Sequence, residues 1–335
     1  MLLIPLCIAC AAAGCGTTKA VGRPVPEMVW PASPETPRIR YRGSVARPAD
    51  LGMTRSFLQK AWDALAGGEK VSLGSPYGVL ADPQGRLLVA DTKTGRVHVF
   101  DTAENRYFFF PGKEKPLPSP IGLAEDGERL FVSDSLAGVV KVYDRTGTHF
   151  LKDLGKDLLQ RPTGLAISRQ KNELLVLDTL QSAIFRFSLA DLSPAGKLGQ
   201  DGAAPGSLHF PTNLWVTPRG DIIVSDSLNF RIQVFSSEGR FLRTFGGAGD
   251  SPGSFARPRG VAADSDGNIY VVDALFDNVQ IFDSQGRLLL AFGSHGDGPG
   301  EFWLPNGIFI DPTDRIFVSD SFNHRVQVFQ YLKSP

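Results

Sequence analysis

From residue 73 to 330 the apolar positions fall in short runs of strand length. Near-continuous apolar runs such as Leu87-Leu88-Val89-Ala90, Leu130-Phe131-Val132-Ser133 and Ile269-Tyr270-Val271-Val272 predict strands covered on both faces. Each run ends in an aspartate: Asp91, Asp134, Asp178, Asp226, Asp273 and Asp320. Six residues after that aspartate, five of the units start a strict alternation, as in Val97-His98-Val99-Phe100, Ile232-Gln233-Val234-Phe235 and Val326-Gln327-Val328-Phe329. A period of two predicts a strand with one buried face. A glycine turn such as Ser237-Glu238-Gly239 or Ser284-Gln285-Gly286 then leads to a last strand ending in Phe245-Gly246 or Phe292-Gly293.

The pattern recurs six times, each unit opening on a proline. Pro76-Tyr77-Gly78, Pro120-Ile121-Gly122, Pro162-Thr163-Gly164, Pro211-Thr212-Asn213, Pro258-Arg259-Gly260 and Pro305-Asn306-Gly307 lie 42 to 49 residues apart and read as turns. Four strands per unit at that period predict an all-β, six-bladed β-propeller of four-stranded antiparallel blades. The sixth unit ends without a fourth strand, whereas residues 38–45 have strand character and no unit of their own. They are expected to close the last blade and remove an open edge. One helix is predicted over residues 54–66, with Phe57, Leu58, Ala61, Trp62 and Leu65 on one stripe, Thr54 at its start and Gly67-Gly68 at its end.

Charge and cysteine use narrow the functional classes. Thirty-five basic residues balance 35 acidic ones, which argues against nucleic acid as a partner. All three cysteines, Cys7, Cys10 and Cys15, precede residue 16, so the body holds no disulfide and no thiolate site. Residues 2–13 form an apolar run too short to span a bilayer, which needs about 20 residues. With the small residues that follow, it reads as an export signal. Ala12-Ala13-Gly14-Cys15 resembles a bacterial lipobox, although Ala12 stands where leucine is usual and no basic residue precedes the run. Lipidation of Cys15 would anchor the chain to a bacterial membrane, the outer one where the cell has two, facing periplasm or cell surface. Residues 16–37, with five prolines, are expected to be an extended tether to a propeller over residues 38–335.

Within the repeats, Asp226-Ser227-Leu228-Asn229-Phe230-Arg231 and Asp320-Ser321-Phe322-Asn323-His324-Arg325 resemble NHL repeats, and the likeness extends over residues 73–329. Unit one keeps Asp91 and Arg96, whereas units two, three and five carry Val139, Ala183 and Asn278 in place of the arginine. The resemblance implies a propeller that serves as a binding platform. RNA binding, found in some NHL relatives, conflicts with export and neutral charge. The six aspartates are expected to be architectural, because a carboxylate at a tight turn accepts backbone N–H bonds and a guanidinium can brace it.

The loops at one mouth of the channel are where a propeller would bind. Two residues after each aspartate stand Lys93, Leu136, Leu180, Leu228, Leu275 and Phe322, with Phe230 and Phe276 in the same loops. An exposed ring of this kind would mark a protein or lipid-like partner, but packing under neighbouring loops is the expectation. The residues after the opening prolines form a second ring near the mouth. There Tyr77, Arg259 and Asn306 are candidates for recognising an anionic or polar group. Six-bladed relatives include zinc lyases and calcium lactonases, but the five histidines fall at unlike positions in their units and no nucleophile elbow is present. The reading is therefore a non-catalytic scaffold of the bacterial envelope that engages an envelope protein or an extended polymer on the upper loop face, monomeric by itself, with no cofactor and no metal. A metal-dependent channel-site hydrolase or lyase, or a glycan-binding module using Trp303 and Phe230, is the alternative.

Overall fold

Repeats one to five each fold into a four-stranded antiparallel sheet in simple sequential order. In blade one these strands are Pro76–Ala81, Arg86–Asp91, Arg96–Asp101 and Arg106–Phe110, from channel to rim. The computed structural model describes residues 26–53, 72–112 and 116–333, so the leader, Cys15 and the predicted helix lie outside the described residues. Buried side chains gather in six clusters, one in each gap between neighbouring blades. This explains the near-continuous apolar runs, because the second strand of each blade has a sheet on either side.

The sixth blade closes as expected. Ile39–Val45 pairs antiparallel with Arg325–Tyr331, from Ile39 opposite Tyr331 to Val45 opposite Val326. The segment expected to be only a tether contributes more. Val29–Trp30 adds a further strand beside Ile39–Val45, and the Trp30 ring packs 5.7 Å from Phe292 and 5.9 Å from Phe329. An indole is too large an apolar surface to leave in water beside an apolar gap between two blades.

The Pro-x-Gly segments are not turns. They are the first residues of the innermost strands, and in five blades the pairing register shifts just after the proline. The glycine is needed because the innermost strands converge. A Cβ on Gly78 would lie 2.0 Å from the Ile121 carbonyl oxygen, and one on Gly307 would lie 2.1 Å from that of Tyr77, across the closing seam. In blade four the innermost strand begins only at Asn213, the residue that stands in place of the glycine.

Hydroxyls at repeating positions clasp adjacent blades. Ser135, Thr179, Ser227 and Ser321 donate to the carbonyls of Pro162, Pro211, Pro258 and Pro76, the opening proline of the next blade in each case. Ser133 and Ser319 donate likewise to the carbonyls of Thr163 and Tyr77. The ring is thus held at the channel wall by buried hydrogen bonds as well as by apolar packing.

Candidate functional site on the upper face

Antiparallel pairing puts four strand ends of each blade on one edge: Pro76 pairs with Asp91, Asp91 with Arg96, and Val97 with Phe110. The aspartate turns and the loops between blades therefore share this upper face. All six motif aspartates are fully buried. Each accepts backbone N–H bonds from the loop entering its own blade: Gly74 and Ser75 for Asp91, Ser119 for Asp134, Gln160 and Arg161 for Asp178, His209 for Asp226, Ala256 and Arg257 for Asp273, and Trp303 for Asp320. The architectural reading of these residues holds. Burial pushes the Asp91 carboxyl up, but hydrogen bonds from His98, Gly74, Thr94 and Ser75 outweigh it and hold the group at about 2. His98 occupies the position that glutamine fills in blades four to six.

The arginines of blades four and six complete this bracing. Arg231 Nε lies 2.8 Å from Asp226 and its remaining N–H groups donate to the carbonyls of Ala203, Ala204 and Ser207. Arg325 does the same with Asp320 and the carbonyls of Asp297, Gly298 and Glu301. Gln233 and Gln327 bind the same loops alongside them.

Above this scaffold the apolar ring is open, contrary to the packing expectation. Leu136 is 74% exposed, Leu275 54%, Phe322 52%, and Leu180 and Leu228 48% each. The turns fix the backbone of these residues below their side chains: Leu275 N–H donates to Asp273, and those of Leu228 and Phe322 to the carbonyls of His209 and Trp303. Phe230 and Phe276 are only half-buried, and Phe230 packs into the gap between blades four and five. Two aromatics on the loops between blades extend the ring. Trp303 stacks tilted on Phe322 with centroids 5.6 Å apart, and Phe210 precedes the fourth opening proline. Phe210 carries no motif signal, because the residue before the proline varies from unit to unit.

The inner ring divides in two. Thr163 and Thr212 spend their hydroxyls on neighbouring threonine, serine and carbonyl groups. Asn306 donates to the Leu304 carbonyl and to Ser321 Oγ, so it belongs to the wall and not to the expected recognition group. Arg259 and Tyr77 do meet across the mouth, Nη1 to Oη at 3.2 Å. Arg257, two residues earlier, was not singled out by the repeat pattern. The Arg259 guanidinium beside it, and then burial, lower its pKa below the usual arginine value. Neither arginine pairs with an acidic group among the described residues.

Below the mouth the channel holds a cavity of about 270 Å³ with a mostly apolar wall. Trp215 and Phe309, from the innermost strands of blades four and six, meet with ring centroids 5.5 Å apart. At the lower end Glu125 is pushed up by burial, and further by Asp82. Among the described residues no three His, Cys, Asp or Glu side chains converge as a metal site.

Comparison with known proteins agrees on the architecture. A family described as DUF5128, 6-bladed beta-propeller, matches residues 260–333. A short segment is 44% identical over 43 residues to the E3 ubiquitin-protein ligase TRIM32 of Homo sapiens, and another alignment is 44% identical over 50 residues to Protein brain tumor of Drosophila melanogaster. These segments cover 13% and 15% of the chain but only 7% and 5% of the relatives' lengths. Among solved structures, an auxiliary nutrient binding protein from Bacteroides thetaiotaomicron superposes with a TM-score of 0.62 at 14% identity, covering 79% of this chain and 71% of that one. Virginiamycin B lyase from Staphylococcus aureus gives a TM-score of 0.56 at 12% identity, over 77% of this chain and 95% of that one. At such identities the likeness shows the fold, a six-bladed propeller, and nothing of the chemistry.

Proposed function

We propose that this chain is an exported NHL-type propeller, anchored by a lipid on Cys15, that binds a protein partner through apolar segments laid across its upper face. The observation that carries this reading is the open Leu–Phe ring. Five large apolar side chains at one motif position in successive blades project from rigid, braced loops on a single face. Scattered exposed leucines are ordinary on a protein surface, but a repeated array on one face is what an interaction site offers. The name of the Bacteroides nutrient-binding neighbour supports binding as the role of such a fold. Export and anchoring rest on the sequence of the leader.

The Trp303–Phe322 pair, with His295 edge-on to the indole at 5.8 Å, favours a second reading, a glycan stacked on an aromatic face. Crosslinking in intact cells tests both. Wild type is expected to capture one envelope protein that a folded Leu228→Asp/Phe322→Asp variant does not. Capture insensitive to the substitutions would remove the ring from the site. Binding of oligosaccharides abolished by Trp303→Ala would favour the glycan.

A further inference from the structure

The geometry points to an oxyanion subsite at the channel mouth, where Arg257 and Arg259, with Tyr77 Oη, hold one carboxylate or phosphate group at the centre of the upper face. It refines the docking reading by naming the group that a ligand on this face would place over the channel, and its test needs no partner.

Three observations converge on it. First, Arg257 and Arg259 flank Pro258, the opening residue of one innermost strand, where their like charges repel, and neither makes an ion pair with a described carboxylate. Other arginines on this face, Arg231 and Arg325, are each paired with an aspartate and spend further N–H groups on three loop carbonyls. A like-charge pair without a counterion is an unfavourable arrangement that an anion would relieve. Second, Arg259 Nε is buried without a hydrogen-bond partner. Arg96 and Arg243 share that condition, but they lie on or beside the outer strands, and Arg259 alone of the three is on an innermost strand. A buried unpaired donor of a charged group is costly, and a small shift of the side chain that brings Nε to a bound acceptor supplies what is missing.

Third, the group is preorganised. The Tyr77 hydroxyl fixes Nη1, and on the backbone Ser227 donates to the Pro258 carbonyl and Thr212 to that of Arg259. Gly260 seats the strand against blade six, where a Cβ would lie 2.6 Å from the Asn306 carbonyl oxygen. Arginine forks of this kind match planar carboxylates and phosphate edges two bonds at a time. The apolar channel wall below lowers the local dielectric and strengthens the pairing.

Titration calorimetry of the full chain at low salt, with inorganic phosphate in one arm and acetyl-Ala-Ala-Leu with a free carboxylate in the other, tests the subsite. The C-terminal amide of the same peptide serves as control. One saturable site is expected for phosphate, for the carboxylate or for both, and none for the amide. The arm that binds identifies the source. Arg257→Gln and Arg259→Gln are each expected to weaken binding at least tenfold, and Arg259→Lys to recover part of the loss. Without anion, Arg257→Gln is expected to melt at or above the wild-type temperature, because it removes a repulsion and no side-chain hydrogen bond. If Arg259→Gln does not fold, Arg257→Gln carries the test. No saturable binding in either arm up to about 10 mM, or binding unchanged by both substitutions, would overturn the subsite. The docking reading would stand in that case, since its own test does not depend on anion binding.

Discussion

Blades four and six treat their arginines differently from blade five. In the first two, Arg231 and Arg325 each direct four hydrogen bonds at an aspartate and loop carbonyls and contribute to architecture. In blade five the corresponding position is Asn278, so the entering loop is held without an arginine, by Asp273 and by Gln280 through Gly253 N–H and the Ser254 carbonyl. The two arginines at the end of this loop, Arg257 and Arg259, have no acidic partner among the described residues. Residue type does not separate structure from recognition here. The partners do, because a guanidinium already held by an aspartate and loop carbonyls has little left to offer a ligand.

Four changes test that contrast, in falling order of effect. The contrast presumes a ring too tightly closed to relax, so Gly307→Ala is expected to destabilise by more than about 3 kcal/mol in calorimetric unfolding. Gly247→Ala, which meets open space, is the control, with a change of less than about 0.5 kcal/mol. If Gly307→Ala melts like wild type, the seam is slack and the preorganisation of Arg259 is lost with it. Next, Arg325→Met removes the charged partner of the buried Asp320 carboxylate, leaving it only the neutral donors of Trp303, Asn323 and Gln327, and should cost about 3 kcal/mol, with faster proteolysis in residues 295–302. A similar loss for Arg257→Gln would erase the distinction between the two classes of arginine.

The third change concerns acid. The folded Asp91 carboxyl titrates at about 2 against an ordinary 3.8, so its folded pKa is depressed. Its contribution, on the order of 2 kcal/mol, is fully present above pH 4 and is lost as pH falls toward 2. Asp91→Asn should flatten that part of the acid-unfolding curve, and an unchanged curve would remove Asp91 as its source. The smallest effect is expected for Leu136→Asp on the open ring, a stability change within about 0.5 kcal/mol. A loss of several kcal/mol would mean that the ring packs after all.

Much of the fold was legible because its causes are local and repeated. Runs covered on both faces, the period-two strands and the glycine turns each report their own surroundings, and six copies make the pattern unmistakable. The closing strand was legible by elimination, since residues 38–45 had strand character and no unit. The site was less so. The sequence placed Leu136, Leu180, Leu228, Leu275 and Phe322 on one ring but could not show that the ring is open, because exposure depends on what neighbouring loops cover. Asn306 follows its opening proline just as Arg259 does, but its amide is held by the Leu304 carbonyl and Ser321, contacts that the repeat pattern does not encode. Arg257 drew no notice because nothing in its own unit marks it.

The sequence by itself thus determined the blade, its copy number and its aspartate turns, all properties of contacts within a repeat. The tertiary structure alone decided how blades meet: the glycines under neighbouring carbonyls, Trp30 in the last gap, and the pairing of Tyr77 with Arg259 across 182 residues of chain. Those contacts arise only when the ring closes, and no local pattern encodes which side chains closure brings together.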